Sequence, residues 1–423
     1  GNVAAAASDL VLTGDALVIS GSTNDTSPDW TVNSLVANAV GLTTLAATTQ
    51  ITADSAGGIS LGDIVGSTDL TLIASDAAGD IELDGGNIGS LSVTDANDLT
   101  FDEPFSANGQ ISVIGVNTID VGEVVSAGDN VTLNAVTSVN IDNPVTGASV
   151  AVTGATTLAS NVTGSTGSVT FNSGLTVDGT SQVSSASADV TFVGDVSSDA
   201  DNTQSLEVSA SGGTVDFQNT IGGGGNIQTL IVTASRVNFG NDAADAVTIG
   251  AGGVLTVNGS GGTTNIFGDI NSGSPVTFND SVILEDNITI TTTTANDNIA
   301  ITGTINSDGT DRDLSITTTG ATGNLTLGNS IGNTSQLNNL TIDVDGETEL
   351  NGEIRVGAAI DLSAAANVQL GSNVSITGTD VTLDEIDGAF ALVVDAANDI
   401  TVNDGIGGAE ALSAVTLDAN NEL

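Results

Sequence analysis

The sequence predicts an all-β chain that winds and stacks on itself as a β-solenoid. Three observations carry this prediction: a repeat of about 20 residues, short apolar-x-apolar strands within each repeat, and gaps filled by Gly, Asn, Asp, Ser and Thr. The repeat is clearest between Gly109 and Phe192, where the first strand residues of successive units form one column: Ile111, Val131, Val150, Val169 and Val190.

The strand candidates have the composition of a pleated, half-buried surface. Val, Ile and Thr dominate them, and the branched Cβ of these residues favours strands. Positions one and three of a strand face the same side, so a Phe at position three is expected in the core. Six strands place Phe there: Phe101, Phe171, Phe192, Phe217, Phe239 and Phe278.

The overall composition supports a repeat array. Of 423 residues, 39% are hydrophobic, with 53 Gly and 4 Pro. This apolar content suffices for a thin aliphatic core, whereas disordered chains lack enough apolar surface to bury. The alternative is a string of β-sandwich domains, which would show blocks of about 100 residues separated by linkers. Such blocks are not evident.

Two regions are predicted. Residues 1–58 are the least regular and are expected to form a capping or docking segment, because a solenoid end exposes core and unpaired strand edges. Trp30, the only Trp, is either part of that cap or an ordinary half-buried aromatic residue. Residues 59–423 are expected to form the solenoid repeats.

A longer motif recurs in the second half of the chain. An Ile-Gly turn precedes an aliphatic strand three times, beginning at Ile221-Gly222, Ile331-Gly332 and Ile406-Gly407. The glycine-rich stretches match neither a dinucleotide-binding fingerprint nor a phosphate-binding loop. They are therefore expected to be turns.

The charge excludes several classes of partner. The chain has 52 acidic residues against 3 basic ones, and a formal net charge of -49. Nucleic acid and anionic membranes are both bound through a basic surface, so neither is expected as a partner. No apolar run is long enough to span a membrane. Because the sequence starts at Gly1, either a signal peptide has been removed or this is part of a longer precursor.

Segments such as 188–195 (ADVTFVGD) and 331–343 (IGNTSQLNNLTID) resemble the filamentous-haemagglutinin-like repeats of bacterial surface and secreted proteins, autotransporter passengers among them. The resemblance covers about three quarters of the chain, from about Ile59 onward, and lies in composition and rhythm rather than in an exact motif. It implies a right-handed parallel β-helix, an extracellular or cell-surface location, and a structural or adhesive role.

Catalysis is not expected. The chain has no His, Cys, Lys or Tyr, so general acid–base work by His and Ser-His-Asp catalysis are impossible. No cofactor is required, although calcium is a candidate ligand because hard cations prefer clustered oxygen atoms. The alternative for each cluster is a solvated surface turn. The candidate residues occur in two predicted turns: Asp308, Asp311, Asp313, Asp343, Asp345 and Glu347.

These expectations combine into one functional prediction. The chain is an extracellular structural protein whose subunits assemble head to tail into a filament or surface layer, since heterologous contacts that do not close into a ring give open filaments. The alternative is an adhesin or autotransporter-like passenger stalk that acts as a monomeric rod. A cell-surface or matrix polysaccharide is the candidate partner besides the chain itself.

Overall fold

The computed structural model describes residues 3–5, 9–19, 30–38, 41–199, 203–319 and 322–422. This described part is all-β, without a helix, and parallel strands stack on one another in about 19 turns. The predicted β-solenoid is therefore confirmed, while its right-handed winding stays a prediction. The chain divides into two compact units, unit 1 (1–194) and unit 2 (195–423).

The strands of unit 1 are mostly two to six residues long. They are β1 (Val3–Ala5), β2 (Leu10–Val11), β3 (Leu17–Ile19), β4 (Trp30–Val32), β5 (Leu35–Ala37), β6 (Thr43–Leu45), β7 (Thr49–Ala53), β8 (Ile59–Leu61), β9 (Ile64–Gly66), β10 (Leu70–Ala74), β11 (Ile81–Leu83), β12 (Gly86–Ile88), β13 (Leu91–Val93), β14 (Ala96–Phe101), β15 (Phe105–Ala107), β16 (Ile111–Val121), β17 (Val125–Ala127), β18 (Val131–Ile141), β19 (Val145–Gly147), β20 (Val150–Leu158), β21 (Val162–Gly164), β22 (Val169–Phe171), β23 (Leu175–Val177), β24 (Thr180–Ser185) and β25 (Val190–Phe192).

Strand lengths in unit 2 range from 2 to 20 residues. Its strands are β26 (Val196–Ser198), β27 (Ser205–Phe217), β28 (Ile227–Phe239), β29 (Val247–Ile266), β30 (Ile270–Ser272), β31 (Val276–Phe278), β32 (Ser281–Leu284), β33 (Ile288–Thr292), β34 (Ile299–Ile301), β35 (Ile305–Ser307), β36 (Leu314–Thr318), β37 (Leu325–Leu327), β38 (Leu340–Leu350), β39 (Glu353–Arg355), β40 (Ala359–Leu370), β41 (Val374–Gly378), β42 (Asp380–Leu383), β43 (Ile386–Asp387), β44 (Ala391–Ala396), β45 (Ile400–Val402) and β46 (Ala414–Ala419).

The strands of unit 1 stack in three columns. Column A runs through β1, β4, β7, β10, β13, the first halves of β16, β18 and β20, then β22 and β25. Column B runs through β2, β5, β8, β11, β14, the second halves of β16, β18 and β20, then β23. Column C runs through β3, β6, β9, β12, β15, β17, β19, β21 and β24.

The register within column A is the one that the repeat predicts. Ile111 pairs with Val131, Val131 with Val150, Val150 with Val169, and Val169 with Val190. Each of these side chains is at most 1% exposed. Because side chains alternate between the two faces of a strand, an apolar-x-apolar strand buries two residues and presents one outward. The dry core is thus extended by one layer with every turn.

Aromatic residues fill the same core. All six Phe residues predicted to point inward are at most 1% exposed. In unit 1 the rings of Phe171 and Phe192 stack at a centroid distance of 5.5 Å, and in unit 2 those of Phe217 and Phe239 stack at 5.6 Å. Stacking follows from the in-register pairing of the two strands in each case.

The described strands of residues 1–58 pair in parallel like those of the turns that follow. Trp30 opens β4, is half-buried, and pairs with Val3 on one side and Ile51 on the other. The β-ladder continues from β5 to β8 and from β6 to β9, so it crosses residue 58 without a break. A capping or docking role for this segment stays a prediction, and residues 1–2, 6–8, 20–29 and 39–40 of it lie outside the described residues.

The Ile-Gly motif has one structural basis in its three occurrences. Ile221, Ile331 and Ile406 each form an isolated parallel bridge to a neighbouring turn. The glycine that follows has a left-handed backbone, with φ of 83° at Gly222, 68° at Gly332 and 72° at Gly407. Glycine adopts this region at no steric cost, so the motif marks the corner where the chain leaves the bridge.

Candidate functional site

A cluster of three carboxylates lies on the outer surface of column B in unit 1. Glu82 is the outward residue of β11, Asp84 follows the end of β11, and Asp102 follows the end of β14 in the next turn. One carboxylate oxygen from each of the three lies within 4.8 Å of the others. We call these residues the carboxylate trio.

The trio results directly from in-register stacking. Leu83 pairs with Phe101, so the residues that follow them, Asp84 and Asp102, occupy the same position in successive turns. Neighbouring parallel strands are about 4.8 Å apart, which brings the two carboxylates together. The Ser60 hydroxyl, one turn earlier, donates a 2.8 Å hydrogen bond to Oε2 of Glu82 and fixes the third member.

Crowding of like charges changes the proton affinity of the trio. Burial is the main factor that raises the pKa of Asp84, and the negative charges of Glu82 and Asp102 add to it. Burial also raises the pKa of Asp102, followed by its hydrogen bond and charge interaction with Glu82. A proton or a cation relieves this repulsion. Three carboxylates at this spacing offer oxygen ligands of the type that Ca²⁺ prefers, and water would complete the coordination.

In the first group of predicted calcium ligands, Asp308 and Asp313 are engaged in other contacts. Oδ2 of Asp308 accepts a 2.9 Å hydrogen bond from the Arg312 guanidinium, which lowers the pKa of Asp308. Oδ1 of Asp313 accepts hydrogen bonds from the side-chain amides of Asn338 at 2.7 Å and Asn339 at 2.8 Å. Asp311 is exposed to solvent.

The second group does not lie in a turn, as the sequence suggested, but in strand β38. Asp343, Asp345 and Glu347 are all exposed there, whereas Ile342 and Val344, on either side of Asp343, are buried. Among the described residues the six predicted ligands do not form a group of three with ligand atoms within 4.8 Å of one another. Calcium binding by them stays a prediction. The trio was missed because its members come from two turns and meet only once the register is known.

The last described turn of unit 2 exposes positions that earlier turns bury. β46 pairs with β44, and within the described chain no strand lies on its other side. Val415 of β46 is 45% exposed, whereas Leu392 and Val374, at the same register in the two preceding strands, are 0% and 2% exposed. Leu417 is half-buried, while its partner Val394 is buried.

The first described turns of unit 1 are open in the same way. Leu10 and Leu17 point toward the core but are only half-buried. Leu35, the partner of Leu10 in the next turn, is 0% exposed. Within the described residues, β2 and β3 each pair with one strand only, and their apolar side chains are incompletely covered.

These features define the class of the protein: a β-solenoid with open strand edges at its first and last described turns and an acidic cluster on its flank. No family model, curated protein or solved structure matches the chain. The resemblance to filamentous-haemagglutinin-like repeats is therefore a proposal. Among the described residues, no helix has the length and apolar character needed to cross a membrane.

Proposed function

We propose that the chain is an extracellular structural protein whose β-solenoid subunits stack head to tail into a filament. The observation that carries this proposal is the in-register parallel stacking of successive turns, in which Val374, Leu392 and Val415 form one column. Parallel stacking in this fold is additive, because each turn covers the apolar residues of its neighbour. A second subunit that places its first turn on β46 extends the same core.

The two open faces offer compatible chemistry. The first turns of unit 1 present Leu10 and Leu17 beside unpaired strand edges, and the last turn of unit 2 presents Val415 and Leu417 in the same setting. An unpaired strand edge is a ready template for another strand. Joining the two faces gives a heterologous contact, which propagates as an open filament when it does not close into a ring.

Charge sets the conditions for this assembly. The last turn carries Asp404, Glu410 and Asp418, and the first turns carry Asp9 and Asp15. Both docking faces are thus negative, and they repel each other across a distance of about one Debye length, roughly 8 Å at physiological salt. We expect filament growth to require moderate salt or a divalent cation.

The extracellular location is proposed from composition and from the resemblance. The chain lacks both Cys and Met, and so has no readily oxidised sulfur. A strongly acidic surface keeps a protein soluble. The proposal assigns no catalytic step, consistent with a sequence that has no His, Lys, Cys or Tyr.

Electron micrographs of the purified chain across a NaCl and CaCl2 series test the proposal. We expect long uniform fibres from the wild type and none from the double variant Val415→Asp/Leu417→Asp, which puts charge into the docking face. Thr416→Asp is the matched control, because Thr416 lies between these two residues and its side chain points to the opposite face of β46. It should still form fibres.

Single particles of the wild type at every salt concentration would overturn the filament and favour the monomeric adhesin or passenger stalk. Fibres that persist in the double variant would also overturn docking through β46.

A further inference from the structure

One face of unit 1 carries no charge over eight successive turns. It is formed by the outward side chains of column A, taken from each strand and from the residue that follows it, and we call it face A. Its members are Gln50, Thr52, Thr71, Ile73, Ser92, Thr94, Ser112, Ile114, Thr132, Asn134, Ala151, Thr153, Thr170, Asn172, Thr191 and Val193.

Column B of the same unit is different. Its outward positions include Glu82 and Asp120, and carboxylates follow its strands at Asp84, Asp102 and Asp142. The formal charge of the whole chain is -49. The outward positions of face A hold hydroxyl, amide and aliphatic side chains only, and the nearest carboxylates, such as Asp69, Asp95 and Asp189, lie along its two margins.

The side chains of face A are aligned in two regular rows along the stacked turns. Its first row is in register from turn to turn, as in the pairs Ser112–Thr132 and Thr170–Thr191. In its second row the Asn172 side chain donates a 3.0 Å hydrogen bond to Oγ1 of Thr153 in the preceding turn. Exposed aliphatic side chains lie in the same row, with Ile114 at 48% and Val193 at 39% exposure.

We propose that face A is the surface through which two copies of this chain associate side by side. Two polyanions repel each other wherever their carboxylates meet, and like charges placed across an interface oppose association. Face A lets two copies approach with no charged side chain at its centre. A cationic partner would instead be drawn to the acidic flank of column B.

The size of face A is sufficient for a weak pair. Eight turns at about 4.8 Å and a width of four residues at about 3.3 Å give roughly 500 Å² for each copy. Two copies would then bury roughly 1,000 Å², the size of a small and weak protein–protein interface. The same spacing on both copies lets the rows of one pack between the rows of the other in an isologous pair.

This pairing is independent of the head-to-tail filament, and its test is designed to keep the two apart. The starting protein is the full chain with Val415→Asp/Leu417→Asp, which blocks docking through the last turn. Sedimentation velocity over a NaCl series should show a monomer at low salt. Toward and above physiological salt, where repulsion is screened, a dimer of twice the mass should form.

Charge placed in face A should prevent the dimer. We expect Ala151→Asp/Thr170→Asp in that starting protein to weaken dimerisation by at least about tenfold, because the carboxylates of both copies would meet in the interface. The matched control is Thr157→Asp/Thr176→Asp, which adds two charges at outward positions of column B in the same two turns. It should dimerise like the starting protein.

A monomer at every salt concentration, or equal dimerisation by both double variants, would overturn the proposal. Retention of a monomeric chain on microcrystalline cellulose, lost in Ala151→Asp/Thr170→Asp only, would also overturn it and would assign face A to a polysaccharide. Fibre formation by the protein with an unaltered last turn is scored separately and bears only on the filament.

Discussion

The hydroxyl of Thr264 lies 3.0 Å from Oδ1 and 2.9 Å from Oδ2 of Asp280, and both residues are buried in unit 2. A hydroxyl carries one proton, so it satisfies one of the two carboxylate oxygens at a time. Gly259 packs directly against this carboxylate, and a Cβ at that position would overlap it. Asp280 is thus a buried acid with few donors.

Asp280 should make stability depend on pH. Burial is the main factor that raises its pKa, and the Thr264 hydrogen bond opposes this rise. When the folded pKa exceeds the unfolded value, the folded state binds more protons, so the free energy of unfolding falls as pH rises. This contribution is therefore favourable in acid and is lost between the ordinary pKa near 3.8 and the raised folded pKa.

The variant Asp280→Asn tests this assignment. It carries no charge at any pH, so it should melt at a higher temperature than the wild type at pH 7, by a few degrees. This advantage should shrink as pH is lowered toward 4. Melting curves recorded by circular dichroism between pH 4 and pH 8 measure the difference. A gap that does not change with pH would show that Asp280 does not titrate differently on folding.

The glycine of the Ile-Gly motif should be costly to replace. At Gly332 the backbone is left-handed and a Cβ would also overlap the carbonyl oxygen of Arg355 in the next turn. We expect Gly332→Ala to cost more than the roughly 1–2 kcal/mol of left-handed strain alone. Two controls separate the causes. Gly309 is left-handed but has open space, and Gly405 has open space without a left-handed backbone.

The expected order of destabilisation is Gly332→Ala, then Gly309→Ala, then Gly405→Ala, the last being close to neutral. Urea unfolding midpoints of the three variants measure it. Equal effects at positions 332 and 309 would mean that the close approach of the two turns contributes nothing.

The core could be predicted from sequence because it depends on a local pattern. Ile111 and Val113 point inward because side chains alternate along a strand, and their partners lie one repeat away. The buried column can therefore be recognised from the amino-acid sequence. The β-ladder in residues 1–58 could not be predicted because the sequence separation between paired residues is uneven there. Trp30 lies 27 residues after its partner Val3 and 21 before its partner Ile51.

The candidate site depends on information that a single strand does not contain. Asp84 and Asp102 are far apart in sequence and are brought together by the register of β11 on β14. At Asp343 and Asp345 the sequence predicts a turn where the structure has a strand. Asp is a poor strand former and suggested a turn, but burial of Leu340, Ile342 and Val344 on the inner face keeps this segment in β38.

Aromatic stacking should contribute to the core beyond simple burial. The Phe171 and Phe192 rings are nearly parallel, with an interplanar angle of 4°. Phe171→Ala should cost about 3–5 kcal/mol, as is usual for a buried Phe. Phe171→Leu keeps most of the apolar volume but removes the ring pair, which is worth about 0.5–1.5 kcal/mol.

Phe278→Leu is the control for that prediction. Phe278 is 0% exposed, and within the described residues no other ring contacts it. Its replacement by Leu should cost less than that of Phe171. Denaturant midpoints compare the two variants, and equal losses would argue against a separate stacking contribution.

The carboxylate trio should couple stability to divalent cations and to pH. Raised pKa values of Asp84 and Asp102 mean that, without a cation, their contribution to stability falls as pH rises above the ordinary value near 3.8. Calcium should offset this loss at neutral pH, so the melting temperature should rise with CaCl2 relative to NaCl of equal ionic strength.

Asp102→Asn should melt higher than the wild type in chelator and should lose most of the calcium response. Asp178→Asn, which removes an exposed charge after β23, is the control and should keep that response. If both variants respond to calcium like the wild type, general screening rather than the trio is responsible.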